Sequence, residues 1–280
     1  MTDRSQSFNL AAVESAVATT SFAGHLHHLP TTLSTNEVAL KAALAGARCG
    51  VWIADQQLAG RGRGAHNWHS PAGAGLYMSA LVAPPIPMQS ALGLSLRVAI
   101  AAQAAIVELT PFTRPRQIDI RWPNDLMLNG RKCGGILIDT ASNPATLTSP
   151  ATLRYAIIGI GINLNHTVFP PQLDTIATSL RRELPDPAEP LPREPLAAAI
   201  LRRLDTEIKR LTTGTLQPPT ENLSLYSTWI AGKRVRVEAR DNDPGGYTGT
   251  TAGLDPQGFL LVAGEDGQLR TVLSGGLREI

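Results

Sequence analysis

Four short segments of this 280-residue chain combine cations, amides or carboxylates with glycine or a turn. Gly60-Arg61-Gly62-Arg63-Gly64 sets two permanent cations among glycines. Glycine lets a backbone approach an anion closely, successive N–H groups form a concave anion nest, and arginine adds planar bidentate donors for phosphate. The same string also reads as a flexible basic loop or an Arg-Gly contact to RNA. Trp68, a few residues on, suits stacking on a base as well as packing in a core. In Arg121-Trp122-Pro123-Asn124-Asp125, the proline stops a strand and presents two oxygen-bearing side chains at its end. Those oxygens suit Mg²⁺–phosphate chemistry, and an Asx-turn opening a hairpin is the alternative. Gly130-Arg131-Lys132-Cys133-Gly134-Gly135 puts a lysine where the backbone is open, although a solvated lysine at a hairpin tip has the same signature. Gly159-Ile160-Gly161-Ile162-Asn163 carries glycines inside a strand, where they often mark the close approach of a ligand or another backbone. It is not G-x-G-x-x-G and no helix signal follows, which excludes a Rossmann reading.

These segments must be carried by regular elements. Ser34-Thr35-Asn36-Glu37 reads as a capping box opening a helix to about Gly46. Val51–Ala54 reads as a buried strand, residues 58–75 as a long loop with little regular structure, and Leu76–Val82 as a strand. Ala91–Leu109 predicts a helix, and Ile118–Trp122 alternates like a strand. Leu126–Leu128 and Ile136–Ile138 flank Asn129-Gly130, the dipeptide best suited to a tight hairpin. Residues 140–152 read as a loop, Tyr155–Leu164 as a strand, and Pro185, Pro187, Pro190, Pro192 and Pro195 as a stiff connector. A helix over Leu196–Leu211 and a short one near Leu223–Ile230 are expected to follow. The last fifty or so residues alternate short strands with turns, as a small β-barrel does. Residues 1–30 show weak periodicity, consistent with partial disorder or a single helix.

Composition bounds the function. Hydrophobic residues at 43% and charged residues at 17% describe a globular protein with a real core. A formal charge of +2 argues against a dedicated nucleic-acid binder. Cys49 and Cys133 form neither a disulfide framework nor a metal-ligand spacing, as expected of reduced thiols in the cytoplasm. The N-terminus lacks the charged-then-apolar order of a secretory signal. The stretch 91–109 is interrupted by Arg97, Gln103 and Glu108, which favours a buried helix over a membrane span.

In order, Ser34-Thr35-Asn36, Asp55 to Arg63, Trp122-Pro123-Asn124-Asp125, Arg131 to Leu137 and Gly159 to Asn163 resemble the successive motifs of biotin–protein ligases. The likeness spans roughly residues 30–180, and the final strands fit that family's small last domain. The resemblance implies an α+β fold: a mixed β-sheet catalytic domain flanked by helices, of the class II synthetase/biotin ligase type, over residues 1–230. A small C-terminal SH3-like β-barrel would occupy residues 231–280. It implies an enzyme that forms biotinyl-5′-AMP from biotin and ATP with Mg²⁺, then passes biotin to a lysine of a biotin carboxyl carrier protein.

Carried over residue by residue, biotin contacts fall on Ser34, Thr35, Asn36, Gln57, Gly60, Arg61, Gly62, Arg63, Lys132, Gly135, Gly159 and Gly161. ATP contacts fall on Arg61, Arg63, Trp68, Asn124, Lys132 and Asn163, with Asp125 reaching magnesium through the phosphates. Lys132 and Arg63 are the implied catalytic residues. Arg121 stands where lysine is commoner in that family, which keeps the charge and changes the hydrogen-bond geometry. Ser34 comes early for a preceding three-helix DNA-binding domain, so the expectation is no specific DNA binding and no membrane partner; a homodimer is admitted. The nearest alternative is a lipoate–protein ligase. One of another class, a non-enzymic RNA-binding module, is disfavoured by the low net charge and the lack of aromatic–basic interleaving.

Overall fold

The strand Thr152–Asn163 explains how the main sheet is built. Its even-numbered side chains, Ala156, Ile158, Ile160 and Ile162, are buried in the larger core cluster, and Tyr155 and Ile157 are buried in a smaller one on the opposite face. By the same period of two, Gly159, Gly161 and Asn163 continue that second face. One face is thus apolar throughout, while the other is apolar at one end and glycine-rich at the other.

The computed structural model describes residues 7–91, 93–147, 149–185, 189–213, 223–238, 246–273 and 276–280. In chain order the elements are α1 (Leu10–Ala16), β1 (Leu26–Thr32), α2 (Thr35–Leu44), β2 (Gly50–Gln57), β3 (Gly75–Val82), α3 (Leu94–Leu109), β4 (Ile118–Arg121), β5 (Asp125–Leu128), β6 (Arg131–Asn143), β7 (Thr152–Asn163), α4 (Pro171–Asp174) and α5 (Arg193–Thr212). Then come β8 (Ala231–Val237), β9 (Tyr247–Leu254), β10 (Leu260–Gly264), β11 (Leu269–Val272) and β12 (Leu277–Glu279). The first seven strands form one mixed sheet in the order β1-β2-β3-β7-β6-β5-β4, with β1 parallel to β2 and the other pairs antiparallel. The last five form an antiparallel sheet, β11-β10-β9-β8-β12, consistent with an SH3-like domain.

Helices α3 and α5 pack on each other and on one face of the main sheet, with α1 against α5. Val51, Ile53, Met78, Ile158, Ala99, Ala102 and Ile200 meet there, each fully buried Ile or Leu contributing roughly 1.5–3 kcal/mol. Arg97, the charge that argued against a membrane span, is buried in α3 and paired with Glu207 of α5 at 3.2 Å. Among the described residues, no helix is long and apolar enough to cross a membrane. On the other face α2 lays Ala39 and Ala43 over Trp52, Leu81, Tyr155 and Ile157. Its first turn brings Asn36 over Gly159, and Gly161 lies beyond it.

Several expectations are corrected. Residues 7–30 hold not one helix but α1 followed by the start of β1, and residues 1–6 of that stretch lie outside the described residues. Two histidines and Pro30 hide that strand from a propensity reading; it is an edge strand, and Pro30 drops out of its pairing with β2. β6 runs on to Asn143, into the stretch read as loop, because β7 pairs with it as far as Thr152, through a register shift between Ala141 and Ser142. Around Leu223–Ile230 only a 3₁₀ turn at Leu223–Leu225 forms. The backbone there is held from outside, Tyr226 O accepting from Gln103 and Thr228 N donating to Asp119, while Trp229 N donates to Ser227 Oγ within the segment. Helix α5 begins at Arg193, so Pro195 belongs to its first turn, where a missing N–H costs nothing. Pro187 of the connector lies outside the described residues. Ser34 is the N-cap of α2, but its side chain makes no capping bond; the expected capping box is absent.

Candidate active site

The Asn129-Gly130 turn forms as read, with both φ values positive, 48° and 81°. Just beyond it the β5–β6 ladder slips. Leu126 pairs with Gly134 but Met127 pairs with Lys132, leaving Cys133 as an extra residue. Such a bulge re-aims side chains. Without it Lys132 and Gly135, three apart, would face opposite sides. With it both face the glycine-rich side, and a Cβ built on Gly135 would lie 3.4 Å from Lys132 Nζ. A short bridge to Ala177 braces Lys132 from behind: its N donates to Ile176 O and its O accepts from Thr178 N, each at 2.9 Å. The Lys132 ammonium sits 2.6 Å from Asp125 Oδ1 and 5.4 Å from the Trp68 ring centre. Burial alone would raise the Asp125 carboxyl, but Lys132 and Arg121 together hold it below its ordinary value.

The glycines of β6 and β7 form a floor on which larger groups lie. A Cβ on Gly161 would fall 2.6 Å from Trp68 Nε1, and one on Gly159 would fall 2.3 Å from Asn36 Oδ1. Gly135 and Gly161 are cross-strand partners, so the indole rests across the pair. Its buried N–H has no acceptor among the described residues.

Beside the floor lies a compact polar cluster. Gln57 Oε1 accepts from Thr35 N at 2.9 Å and from Thr35 Oγ1 at 3.1 Å, so Gln57 ties down the start of α2 where Ser34 does not. Gln57 Nε2 donates to Ser70 Oγ at 3.0 Å. The fully buried Ser79 hydroxyl lies 2.7 Å from Thr35 Oγ1 and 2.6 Å from Asn36 Oδ1. Asn36 Nδ2 donates to Asp139 at 3.1 Å. Ser70, Ser79 and Asp139 were not singled out from the sequence. Ser79 had a signal, a small polar side chain in the apolar run Leu76–Val82, and so had Asp139, a charge closing Ile136-Leu137-Ile138.

The glycine–arginine segment is more ordered than read. Gly62 N donates to His66 O at 2.7 Å, Trp68 N to Gly60 O at 2.8 Å, and a 3₁₀ turn spans Arg63–Ala65. Gly60 must be glycine, since a Cβ would meet Trp68 O at 2.7 Å and Ser70 Oγ at 2.8 Å. Arg63 Nη1 donates to Asn124 Oδ1 at 3.1 Å, next in sequence to Asp125. The loop therefore reaches Lys132 through Trp68, and through Arg63 it reaches Asn124, the neighbour of Asp125. Between it and β6 opens a groove of about 490 Å³ lined by Arg61, Arg63, His66, Leu137, Ile138 and Asp139 among others. Arg61 is exposed at its rim.

Three expected ligand residues are otherwise engaged. Asn124 is buried, its amide donating to Ile136 O at 2.6 Å and its oxygen accepting from Arg63, so it pins the loop. Asn163 donates to Thr178 O at 3.1 Å and holds the segment that braces Lys132. Asp125, expected at magnesium, gives one oxygen to Lys132 and the other to Arg121. Two cations already occupy it, and no group of three His, Cys, Asp or Glu capable of holding a metal occurs among the described residues. These residues form no protein-held magnesium site, and a magnesium carried on the nucleotide's phosphates would need none.

The fold and this convergence define a ligase-type catalytic domain: residues 32–163 match the Biotin/lipoate A/B protein ligase family and residues 230–275 match the Biotin protein ligase C terminal domain. The chain is 31% identical over 253 residues to the biotin–[acetyl-CoA-carboxylase] ligase of Mycobacterium tuberculosis, covering 88% of this chain and 85% of that protein. It is 34% identical over 217 residues to the bifunctional ligase/repressor BirA of Bacillus subtilis, covering 77% of this chain but spanning only 62% of that protein's length. The solved biotin protein ligase of Aquifex aeolicus, a complex with biotin and ATP, shares the fold with a TM-score of 0.71 at 24% identity, covering 92% of this chain and 100% of that one. The chain belongs to the biotin protein ligase family.

Proposed function

We propose that the chain activates biotin with ATP, forming biotinyl-5′-AMP and pyrophosphate, and then transfers biotin to a lysine of a biotin carboxyl carrier protein in the cytoplasm. The observation that carries this reading is Lys132, turned by the bulge onto the same floor as Gly135 and Gly161 and approached by the arginine loop. In the first step the biotin carboxylate attacks the α-phosphorus and pyrophosphate leaves. Two anions must meet, so the site has to supply positive charge where it develops.

An ammonium carries three donors, and Asp125 takes one of them. The other two are open to one carboxylate oxygen and one phosphate oxygen, which Lys132 bridges. Arg63 and Arg61 add charge from the loop side. The orphaned Trp68 N–H is a further donor for an acceptor placed over the glycine floor. In the second step the acceptor's amine attacks the mixed anhydride and AMP leaves; no protein nucleophile is required. Cys133 agrees with that, since burial pushes its thiol up to about 12 and keeps it neutral.

The polar cluster favours biotin over lipoate. A ureido ring has a carbonyl and two N–H groups that need fixed partners when buried, at about 1–3 kcal/mol for each left unpaired. Thr35, Asn36, Gln57 and Ser79 supply such partners, whereas a dithiolane ring has no use for them. ATP–pyrophosphate exchange with biotin or lipoate added separately tests the reading. Exchange with biotin is the expected result; exchange with lipoate alone would replace biotin as substrate, and none with either would remove the activity.

A further inference from the structure

Lys132 shares Asp125. While Oδ1 faces the ammonium, Oδ2 accepts from both Nε (3.1 Å) and Nη2 (2.6 Å) of Arg121. Arg121 ends β4 and is the cross-strand partner of Asp125, so ladder register fixes the pair. The same guanidinium lies 5.6 Å from the centre of the Trp229 ring. Trp229 is buried just before β8, and its ring also carries Lys233 Nζ at 4.4 Å; Lys233 pairs with Glu279 of β12 at 3.0 Å. The segment holding Trp229 is clamped to β4 next to Arg121, with Ser227 Oγ donating to Ile120 O at 2.7 Å and Thr228 N to Asp119 at 2.9 Å. Contacts therefore run without a gap from the C-terminal sheet to the Lys132 ammonium.

We propose that Arg121 is a positioning residue for Lys132, itself anchored by Trp229, so that the C-terminal sheet sets where the ammonium stands. The proposal rests on Lys132 acting in adenylation. Its physical basis is the geometry of the carboxylate. Arg121 holds Oδ2 through two donors, which fixes the carboxylate plane and leaves only Oδ1 for Lys132. Without Arg121 the carboxylate turns freely, and both its oxygens draw the ammonium off the floor. Substrate still binds, through the polar cluster, but its carboxylate meets a displaced cation. The loss belongs in kcat rather than in KM.

The test uses the full chain and ATP–pyrophosphate exchange with biotin. R121Q is expected to lower kcat by about 10- to 100-fold with the KM for biotin within about twofold, and R121K to restore most of the loss. W229L, which leaves Arg121 in place, is expected to lower kcat in the same way. Because the two act through one route, R121Q/W229L should be no slower than R121Q alone. Near-wild-type kcat for R121Q, a loss confined to KM, or multiplicative effects in the double variant would overturn the proposal. Should R121Q fail to fold by thermal unfolding, W229L decides alone: unchanged kcat refutes the relay. K132A separates the two readings, for if it keeps full exchange the adenylation role itself falls. A dead K132A beside a normal R121Q sinks only the relay.

Discussion

Lys132 and Gly135, three residues apart on one strand, point the same way, and a methyl on Gly135 would touch the lysine at 3.3 Å from Cε and 3.4 Å from Nζ. The floor is shaped to the ammonium. Removing the charge with K132A is expected to slow pyrophosphate exchange by roughly 10²–10³, as loss of one charge-stabilising donor does. G135A keeps the charge but shifts it by a few tenths of an ångström, so exchange should fall by about tenfold in a chain that still folds. If G135A matched the wild type while K132A was inactive, the closeness of the fit would have no catalytic meaning.

The Trp68 indole depends on Gly161 in the same manner. A Cβ there would sit 2.6 Å from Nε1 and 2.7 Å from Cε2, so G161A has to lift the ring off the sheet. The expected result is a change in tryptophan emission that is missing when G161A is made in a W68F background. An unaltered spectrum in G161A would mean that the ring does not lie across that glycine.

Biotin affinity is expected to follow the polar cluster. G159A drives a Cβ into Asn36 Oδ1, at 2.3 Å, and so breaks the contacts of Asn36 with Ser79 and Asp139. S79A removes one hydroxyl and leaves acceptors unpaired, for a loss of about 1–3 kcal/mol. Titration calorimetry with biotin should rank wild type above S79A and S79A above G159A. Equal affinities would exclude the cluster from the biotin site.

His166 gives the fold a defined acid sensitivity. It is buried against Phe169 and within 3.3 Å of the Tyr77 hydroxyl; burial first, and the nearby His69 second, bring its pKa down to about 4. The unfolded chain therefore binds a proton that the folded chain refuses between about 6.5 and about 4. Stability is full above that window, falls as the pH drops through it, and is level below, the total amounting to roughly 3 kcal/mol. Urea unfolding of wild type and H166F at pH 7, 6 and 5 should give a shallower slope with pH for the variant, whatever its stability at pH 7. Parallel slopes would rule His166 out as the source.

How much of this could be read in advance depends on the range of the interaction involved. The Asn129-Gly130 turn and the strand beside it are local, and were legible. Motif order singled out Lys132 as well, and the geometry sets it beside Asp125 and Trp68. Which way Lys132 faces was not legible, because a bulge is a property of two strands and Cys133 carries no mark of being the extra residue. β1 escaped because only an edge position excuses Pro30. The segment at Leu223–Ile230 has helical spacing, yet Gln103 and Asp119, more than a hundred residues away, claim its backbone groups. Asp125 looked like an oxygen ligand for a cation and is one, but the cations are Arg121 and Lys132.

The turn beside Lys132 also has a chemical lifetime. Asn-Gly is the dipeptide most open to succinimide formation, since glycine offers no side chain to hinder attack of its nitrogen on the asparagine amide. Here Asn129 Nδ2 donates to Glu183 at 2.8 Å, and that glutamate also pairs with Arg131. Deamidation would replace the donor with a second carboxylate facing the first, at the root of the strand that carries Lys132. In a stored preparation such a change would set electrostatic repulsion three residues from Lys132.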